Sequence, residues 1–139
     1  MRILGLDVGD RRIGLAISDP GGHFAVPLRT LQRSALDDVV KSLEDLVAKE
    51  DVSAIVVGLP LRMDGTAGSQ AESVQGFVQE LLAAVKVPVT LWDERLSTVQ
   101  ADQLLRSGGS RKRKAEQDAL AAAIILQGYL DSRQQGQAG

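Results

Sequence analysis

The chain has 139 residues, which is enough for one domain with its own hydrophobic core. It has no cysteine and a single histidine, His23, and this excludes disulfide bonds, thiolate catalysis and a histidine-based metal site within one chain. The formal net charge of −2, from 16 basic and 18 acidic residues, excludes a uniformly basic nucleic-acid binder, so any such contact has to be local.

The first third of the chain predicts three consecutive strands. Residues 2–8 and 13–18 are apolar runs separated by a short turn, and the sequence Asp-Pro-Gly-Gly at residues 19–22 is a dense turn signal. A third strand is expected over residues 24–31. It should lie at a sheet edge, because Pro27 cannot donate a hydrogen bond to a neighbouring strand.

Helices and strands alternate after this point. Apolar residues spaced three and four apart over residues 36–47 predict a helix that is capped by Ser34. Residues 53–57 are rich in β-branched side chains and predict a strand that is buried on both faces. Ser69 and Glu72 form a capping-box pattern at the start of a second helix.

The last third of the chain predicts one more strand, over residues 88–92, and two more helices. Ser97 and Gln100 resemble a capping box for a short helix, and the apolar stripe over residues 115–129 predicts the final helix. Residues 133–139 lack an apolar anchor and are expected to form a disordered tail.

The predicted order of elements indicates an α/β fold. Three antiparallel strands and two strands reached by helical crossovers would form a five-stranded mixed sheet flanked by helices, and we expect residues 1–132 to form a single domain. No secretion signal pattern follows Met1, and the longest apolar run, residues 119–126, is too short to span a bilayer. We therefore expect a cytoplasmic protein with no membrane role.

Two aspartates interrupt apolar patterns. Asp7 lies inside the first predicted strand, where an unpaired ionised carboxylate is costly and needs a counter-charge or a metal. Asp118 lies on the inward stripe of the final helix, together with Ala122 and Ile125. Each also has a purely structural explanation, since Asp7 would cap the turn at Gly9 and Asp118 would interact favourably with the helix dipole.

Asp93 and Glu94 close the fifth predicted strand, at the end where α/β sheets commonly hold ligands. Their side chains point to opposite faces, so only one of them can point towards Asp7, and the apolar pattern does not decide which. A helix-capping role for one and an ion pair with Arg95 for the other would also account for them.

Acidic residues at a strand interior, a strand end and an inward helix face would converge on one point of such a sheet. Because oxygen is the available ligand atom, a carboxylate cluster favours Mg²⁺ or Mn²⁺. Phosphodiester hydrolysis uses such clusters, with metal ions roughly 3.5–4 Å apart that position water and stabilise the attacking and leaving oxygens. The pattern therefore predicts a metal-dependent nuclease.

Four blocks of sequence match a known family in order and approximate spacing. They are Leu-Asp-Val-Gly with Arg-Ile-Gly-Leu-Ala at residues 6–16, Val-Gly-Leu-Pro with Asp-Gly at residues 57–65, Asp-Glu-Arg-Leu-Ser-Thr at residues 93–98, and Asp-Ala with Ile-Leu at residues 118–126. Any one block is weak evidence. The ordered set spans residues 3–130 and resembles the YqgF/RuvX family of nucleases.

The resemblance implies an RNase H-like fold, a divalent metal and action on structured nucleic acid. By resemblance, Asp7, Glu94 and Asp118 take the catalytic and metal-binding roles, with Asp93 as the alternative to Glu94. The first substrate implied is the 5′ end of pre-16S rRNA in ribosome biogenesis. The second is branched DNA such as a Holliday junction.

Basic residues near these positions are expected to contact the nucleic-acid backbone. Arg12 and Arg95 would neutralise the scissile phosphate or its neighbour, and a basic run would hold the backbone further away. The run consists of Arg111, Lys112, Arg113 and Lys114. A solvated loop is the alternative explanation for it.

Two other functions fit parts of the pattern. The turn after Asp7 also resembles the first phosphate-binding segment of actin-like ATPases and sugar kinases, which normally need two such domains. A nucleic-acid-binding module without turnover is the second alternative, although acidic residues at all three positions argue against it. The expected partner is RNA or branched DNA, bound by a monomer for single-end trimming or by a homodimer for paired cuts.

Overall fold

Strands and helices begin and end close to the positions that the sequence predicts. The structure is a computed structural model that describes residues 1–61, 64–94 and 114–138. In this part of the chain the strands are β1 (Arg2–Val8), β2 (Arg12–Ser18), β3 (Ala25–Gln32), β4 (Val52–Leu59) and β5 (Val89–Asp93). The helices are α1 (Leu36–Lys49), α2 (Ser69–Ala84) and α3 (Lys114–Ala138). The short helix predicted after Ser97 lies outside the described residues.

These strands form one mixed sheet in the order β3-β2-β1-β4-β5. β1 pairs antiparallel with β2, and β2 with β3, whereas β1 pairs parallel with β4, and β4 with β5. The parallel strands follow helical crossovers, as the alternation of elements predicts. β3 lies at an edge of the sheet, which confirms the expectation based on Pro27.

Helices cover both faces of the sheet. Alternating residues of β1, such as Leu4 and Leu6, pack in a core with α1 and α2 on one face. Ile3 of β1 and Ala16 of β2 lie on the other face, in a smaller core with α3. Because side chains alternate along a strand, Asp7 of β1 belongs to the face that α3 covers.

Two glycines let α3 approach the sheet closely. A Cβ atom on Gly5 of β1 would lie 2.8 Å from the Cβ atom of Leu126, and one on Gly14 of β2 would overlap the backbone carbonyl of Asp118. A larger residue at either position would push α3 away from the sheet. These glycines therefore set the depth at which α3, and Asp118 with it, lies on the sheet.

The predicted side-chain caps of α1 and α2 are wrong. α1 follows Ala35 as its N-cap residue, and no side-chain hydrogen bond caps it, because Ser34 lies one position too early in the chain. Gly68 takes the N-cap position of α2, and Ser69 is already the first helical residue. The Ser69 hydroxyl therefore cannot serve the N–H groups that an N-cap side chain reaches.

The final helix is longer than the sequence predicts. α3 continues past Ser132 to Ala138, into the segment that we expected to be disordered. Its backbone hydrogen bonds form within the helix, so its last turns need no apolar contact with the sheet. Although α3 has 25 residues, neither it nor any other described helix is long and apolar enough to cross a membrane.

Candidate active site

The carboxyl groups of Asp7 and Glu94 meet at one edge of the sheet. Asp7 lies near the C-terminal end of β1, and Glu94 directly follows β5. Since β1, β4 and β5 run parallel, their C-terminal ends lie at the same edge. A hydrogen bond joins the two carboxyl groups. Of the two acidic residues at the end of β5, it is Glu94 that reaches Asp7.

Burial and neighbouring negative charges raise the pKa values of Asp7 and Glu94 well above those of ordinary carboxyl groups. Burial, followed by the charge of Asp118, raises the pKa of Asp7 to about 6, while the hydrogen bond from Glu94 acts in the opposite direction. Burial raises the pKa of Glu94 to about 7, with further contributions from the charge of Asp7, the hydrogen bond and the charge of Asp93. Between pH 6 and pH 7 the pair therefore holds one proton, on Glu94, and it loses this proton as the pH rises through about 7.

Gly58 leaves the space that Glu94 occupies. It lies near the end of β4, and its Cα pairs with that of Trp92 on β5. A Cβ atom at this position would lie 2.5 Å from Glu94 Oε1 and 2.6 Å from Cδ1 of Ile125. The missing side chain thus allows the Glu94 carboxyl group to lie beside Asp7.

Asp118 lies beside this pair, but Arg12 holds its carboxylate. The backbone carbonyl of Asp118 lies over Gly14, and Gly14 is the Cα partner of Asp7 in the β1–β2 pair. Arg12 Nε donates a hydrogen bond of 2.5 Å to Asp118 Oδ2, and this ion pair joins residues 106 positions apart. Asp118 is therefore close enough to raise the pKa of Asp7 while its own carboxylate is paired.

The structure brings the predicted acidic residues together only in part. Within residues 1–61, 64–94 and 114–138, no three His, Asp or Glu side chains lie close enough to hold one metal ion together. Asp7 and Glu94 are in contact, and Asp93 ends β5 next to them. A site with three carboxylate ligands therefore requires the Asp118 carboxylate to move from Arg12 towards the pair.

The predicted nucleic-acid-binding residues fall mostly beyond the described side chains. Arg12 starts β2 and lies against Asp118. Lys114 is the first residue of α3. The other predicted contacts, Arg95, Arg111, Lys112 and Arg113, lie outside the described residues. Backbone binding by the basic run therefore stays a prediction.

Arg33 holds the turn between β1 and β2 in place, a role that no pattern in the sequence indicates. Its Nη1 donates to the carbonyl oxygen of Gly9 at 2.9 Å, and its Nη2 donates to Ser73 Oγ on α2 at 3.3 Å. The guanidinium also lies 5.8 Å from the centre of the Phe77 ring. These contacts fix the turn that follows Asp7 to the start of α2.

Known proteins with similar sequences identify the family. The family described as “RuvX: Holliday junction resolvase” matches residues 1–132. The chain belongs to the RuvX family. A protein of Caldanaerobacter subterraneus subsp. tengcongensis is 47% identical over 136 residues, covering 96% of this chain and 98% of that protein. One of Chloroflexus aurantiacus is 49% identical over 133 residues, covering 94% and 87%. Both of these RuvX relatives carry the name “Putative pre-16S rRNA nuclease”.

Solved structures share the fold of this RuvX chain at low sequence identity. Thermus thermophilus RuvC, in complex with a Holliday junction substrate, superposes with a TM-score of 0.65 at 17% identity over 96% of each chain. The Fowlpox virus resolvase, in complex with Holliday junction DNA, gives 0.56 at 12% identity, over 96% of this chain and 99% of the resolvase. The predicted RNase H-like fold and the resemblance to the YqgF/RuvX family are confirmed.

Proposed function

We propose that this RuvX chain is a nuclease that uses Mg²⁺ or Mn²⁺ to hydrolyse phosphodiester bonds at the 5′ end of pre-16S rRNA in the cytoplasm. The observation that carries the proposal is the contact between the Asp7 and Glu94 carboxyl groups, with Asp118 beside them. The names of the relatives support the choice of substrate, because those proteins match this chain along nearly all of its length.

The donor set fits a hard divalent cation. Carboxylate oxygens are the ligands that Mg²⁺ and Mn²⁺ prefer, and the chain has no cysteine to attract a softer metal. Asp7 and Glu94 repel each other when both are ionised, so they need either a shared proton or a cation. These two residues would hold the ion, and Asp118 would complete the site. When bound, the ion would polarise the phosphate and lower the pKa of a water molecule.

The chain's own residues would orient the reacting groups. With pKa values of about 6 and about 7, Asp7 and Glu94 lose their protons near neutral pH, so the pair changes charge within the physiological range. Gly58 leaves room for Glu94 beside Asp7, and Arg12 would neutralise a phosphate at the start of β2. We propose that Arg95 and the basic run at residues 111–114 hold the rest of the backbone.

Cleavage of branched DNA is the second candidate function. It is favoured by the description of the matching family, which is Holliday junction resolvase. Paired cuts in a junction need two active sites, and a two-fold dimer would supply them, whereas trimming one RNA end needs only one. Preference for junction DNA should therefore go with a dimer, and preference for an RNA end with a monomer.

The proposal is tested by offering a labelled 16S precursor RNA and a four-way DNA junction side by side, with Mn²⁺, Mg²⁺ or a chelator. Asp7→Asn keeps the size of the side chain and removes its charge, so cleavage should disappear while the protein stays folded. Asp45→Asn is the matched control, because it makes the same change at an exposed position of α1, on the opposite face of the sheet.

Each outcome has a distinct meaning. Metal-dependent cutting of the RNA that is lost in Asp7→Asn and kept in Asp45→Asn would support the proposal, whereas cutting of the junction alone would favour the second candidate. Full activity of Asp7→Asn would refute the site. Binding of nucleic acid without cutting under any condition would indicate a module that has lost turnover.

A further inference from the structure

Arg12 forms an ion pair with Asp118, the third proposed metal ligand after Asp7 and Glu94. Arg12 Nε lies 2.5 Å from Asp118 Oδ2, and the two side chains are only 32% and 28% exposed. Short, charge-assisted hydrogen bonds of this kind are the stronger ones in proteins. Arg12 therefore competes with a cation for this oxygen of Asp118.

The surroundings of this ion pair concentrate negative charge. Gly14, two residues after Arg12 on β2, is the Cα partner of Asp7, and the Asp118 backbone lies directly over Gly14. Asp7, Glu94 and Asp118 thus bring up to three carboxylates to one region of the α3-covered face. Within the described residues, Arg12 supplies the positive charge that pairs with Asp118.

We propose that Arg12 is a placeholder for the divalent cation: its guanidinium holds Asp118 in the metal-free protein, and the cation takes Asp118 over when it binds. This inference rests on the proposed function. Displacement from Asp118 would free the guanidinium for a substrate phosphate, and a phosphate that binds Arg12 would release Asp118 to the cation. Cation and substrate would then strengthen each other's binding by the same factor.

Metal binding without nucleic acid tests the placeholder role independently of catalysis. Arg12→Gln removes the charge and keeps a hydrogen-bond donor for Asp118, so the link between β2 and α3 can persist. The Kd for Mn²⁺, measured by calorimetry or by the EPR signal of free Mn²⁺, should fall about fivefold, because the competing ion pair is gone. Arg12→Lys, which keeps a charge without the Nε donor, should give an intermediate Kd.

Arg11→Gln is the matched control, because it removes the same charge one position earlier, at an exposed side chain. It should change the Kd less than about twofold, since solvent screens exposed charges. If Arg12 only ties α3 to β2, Arg12→Gln should melt at a lower temperature and bind Mn²⁺ no more tightly. That result would overturn the placeholder role.

The same titrations separate this inference from the proposed function. Absence of Mn²⁺ binding in the wild type would overturn the proposed metal site, and the inference with it. If the wild type binds Mn²⁺ and both Arg12→Gln and Arg12→Lys bind it with the wild-type Kd, the inference alone is overturned.

Discussion

Adding one methyl group at Gly58 should displace Glu94 from Asp7 without unfolding the protein. In Gly58→Ala the new Cβ atom would lie 2.5 Å from Glu94 Oε1 and 2.6 Å from Ile125 Cδ1. Unstrained contacts between such atoms begin at about 3.5 Å, so the Glu94 carboxyl group has to move by roughly 1 Å. Both contacted atoms are the ends of flexible side chains, which can shift where backbone atoms cannot.

The expected loss of stability is small and the expected loss of activity is large. Overpacking a core typically costs about 1–3 kcal/mol, and we expect about 1 kcal/mol because the side-chain ends can yield. This corresponds to a decrease of a few degrees in Tm for a domain of this size. Displacement of a catalytic group by about 1 Å costs on the order of 100-fold in rate.

Thermal unfolding and the rate of metal-dependent cleavage measure the two effects separately. Gly76→Ala is the matched control, because no atom beyond the neighbouring turns of α2 lies within 4 Å of the added Cβ. This control should gain up to about 1 kcal/mol from helix propensity and keep its cleavage rate. A wild-type cleavage rate in Gly58→Ala would show that Gly58 does not position Glu94.

The raised pKa values of Asp7 and Glu94 predict how stability and metal binding depend on pH. Both groups bind protons more tightly in the folded protein, so they stabilise the fold fully at low pH. In the absence of metal, the free energy of unfolding should therefore fall as the pH rises through about 6 and 7. In denaturant titrations, the free energy of unfolding of Asp7→Asn should fall less with pH than that of the wild type. An equal fall would contradict the assignment of this pH dependence to the Asp7–Glu94 pair. Mn²⁺ affinity should rise over the same pH range, because the cation competes with the shared proton, and a flat profile would exclude that competition. Arg33→Met should lower the cleavage rate about tenfold by freeing the turn after Asp7, and exposed Arg29→Met is its control. Equal rates in the two variants would rule out the bracing role.

Local sequence patterns were sufficient to predict most strands and helices, but they did not predict where the helices begin. Alternation and three-and-four spacing depend on neighbours in the chain, so they identified the strands and helices without knowledge of the fold. The caps at Ser34 and Ser69 failed because a shift of one residue decides whether a side chain lies at the N-cap or inside the helix.

The candidate site was visible in the sequence only as separate acidic residues. Asp7 and Asp118 stand out because each places a charge in an apolar pattern, where burial is costly. Arg33 gave no such signal, because the groups that it contacts lie 24 and 40 positions away. The pairing of Arg12 with Asp118 was hidden for the same reason, since it joins residues 106 positions apart.

Alternation along β5 predicts from the sequence that Asp93 and Glu94 point to opposite faces, but which of them meets Asp7 depends on how α3 packs on the sheet. α3 packs on the face that carries Trp92, whose ring meets that of Tyr129 edge-on at 5.9 Å. Glu94 follows Trp92 on the same side by alternation, and so it reaches Asp7 under α3. Alternation is a local property of one strand, whereas the face that a helix covers depends on how distant segments pack together.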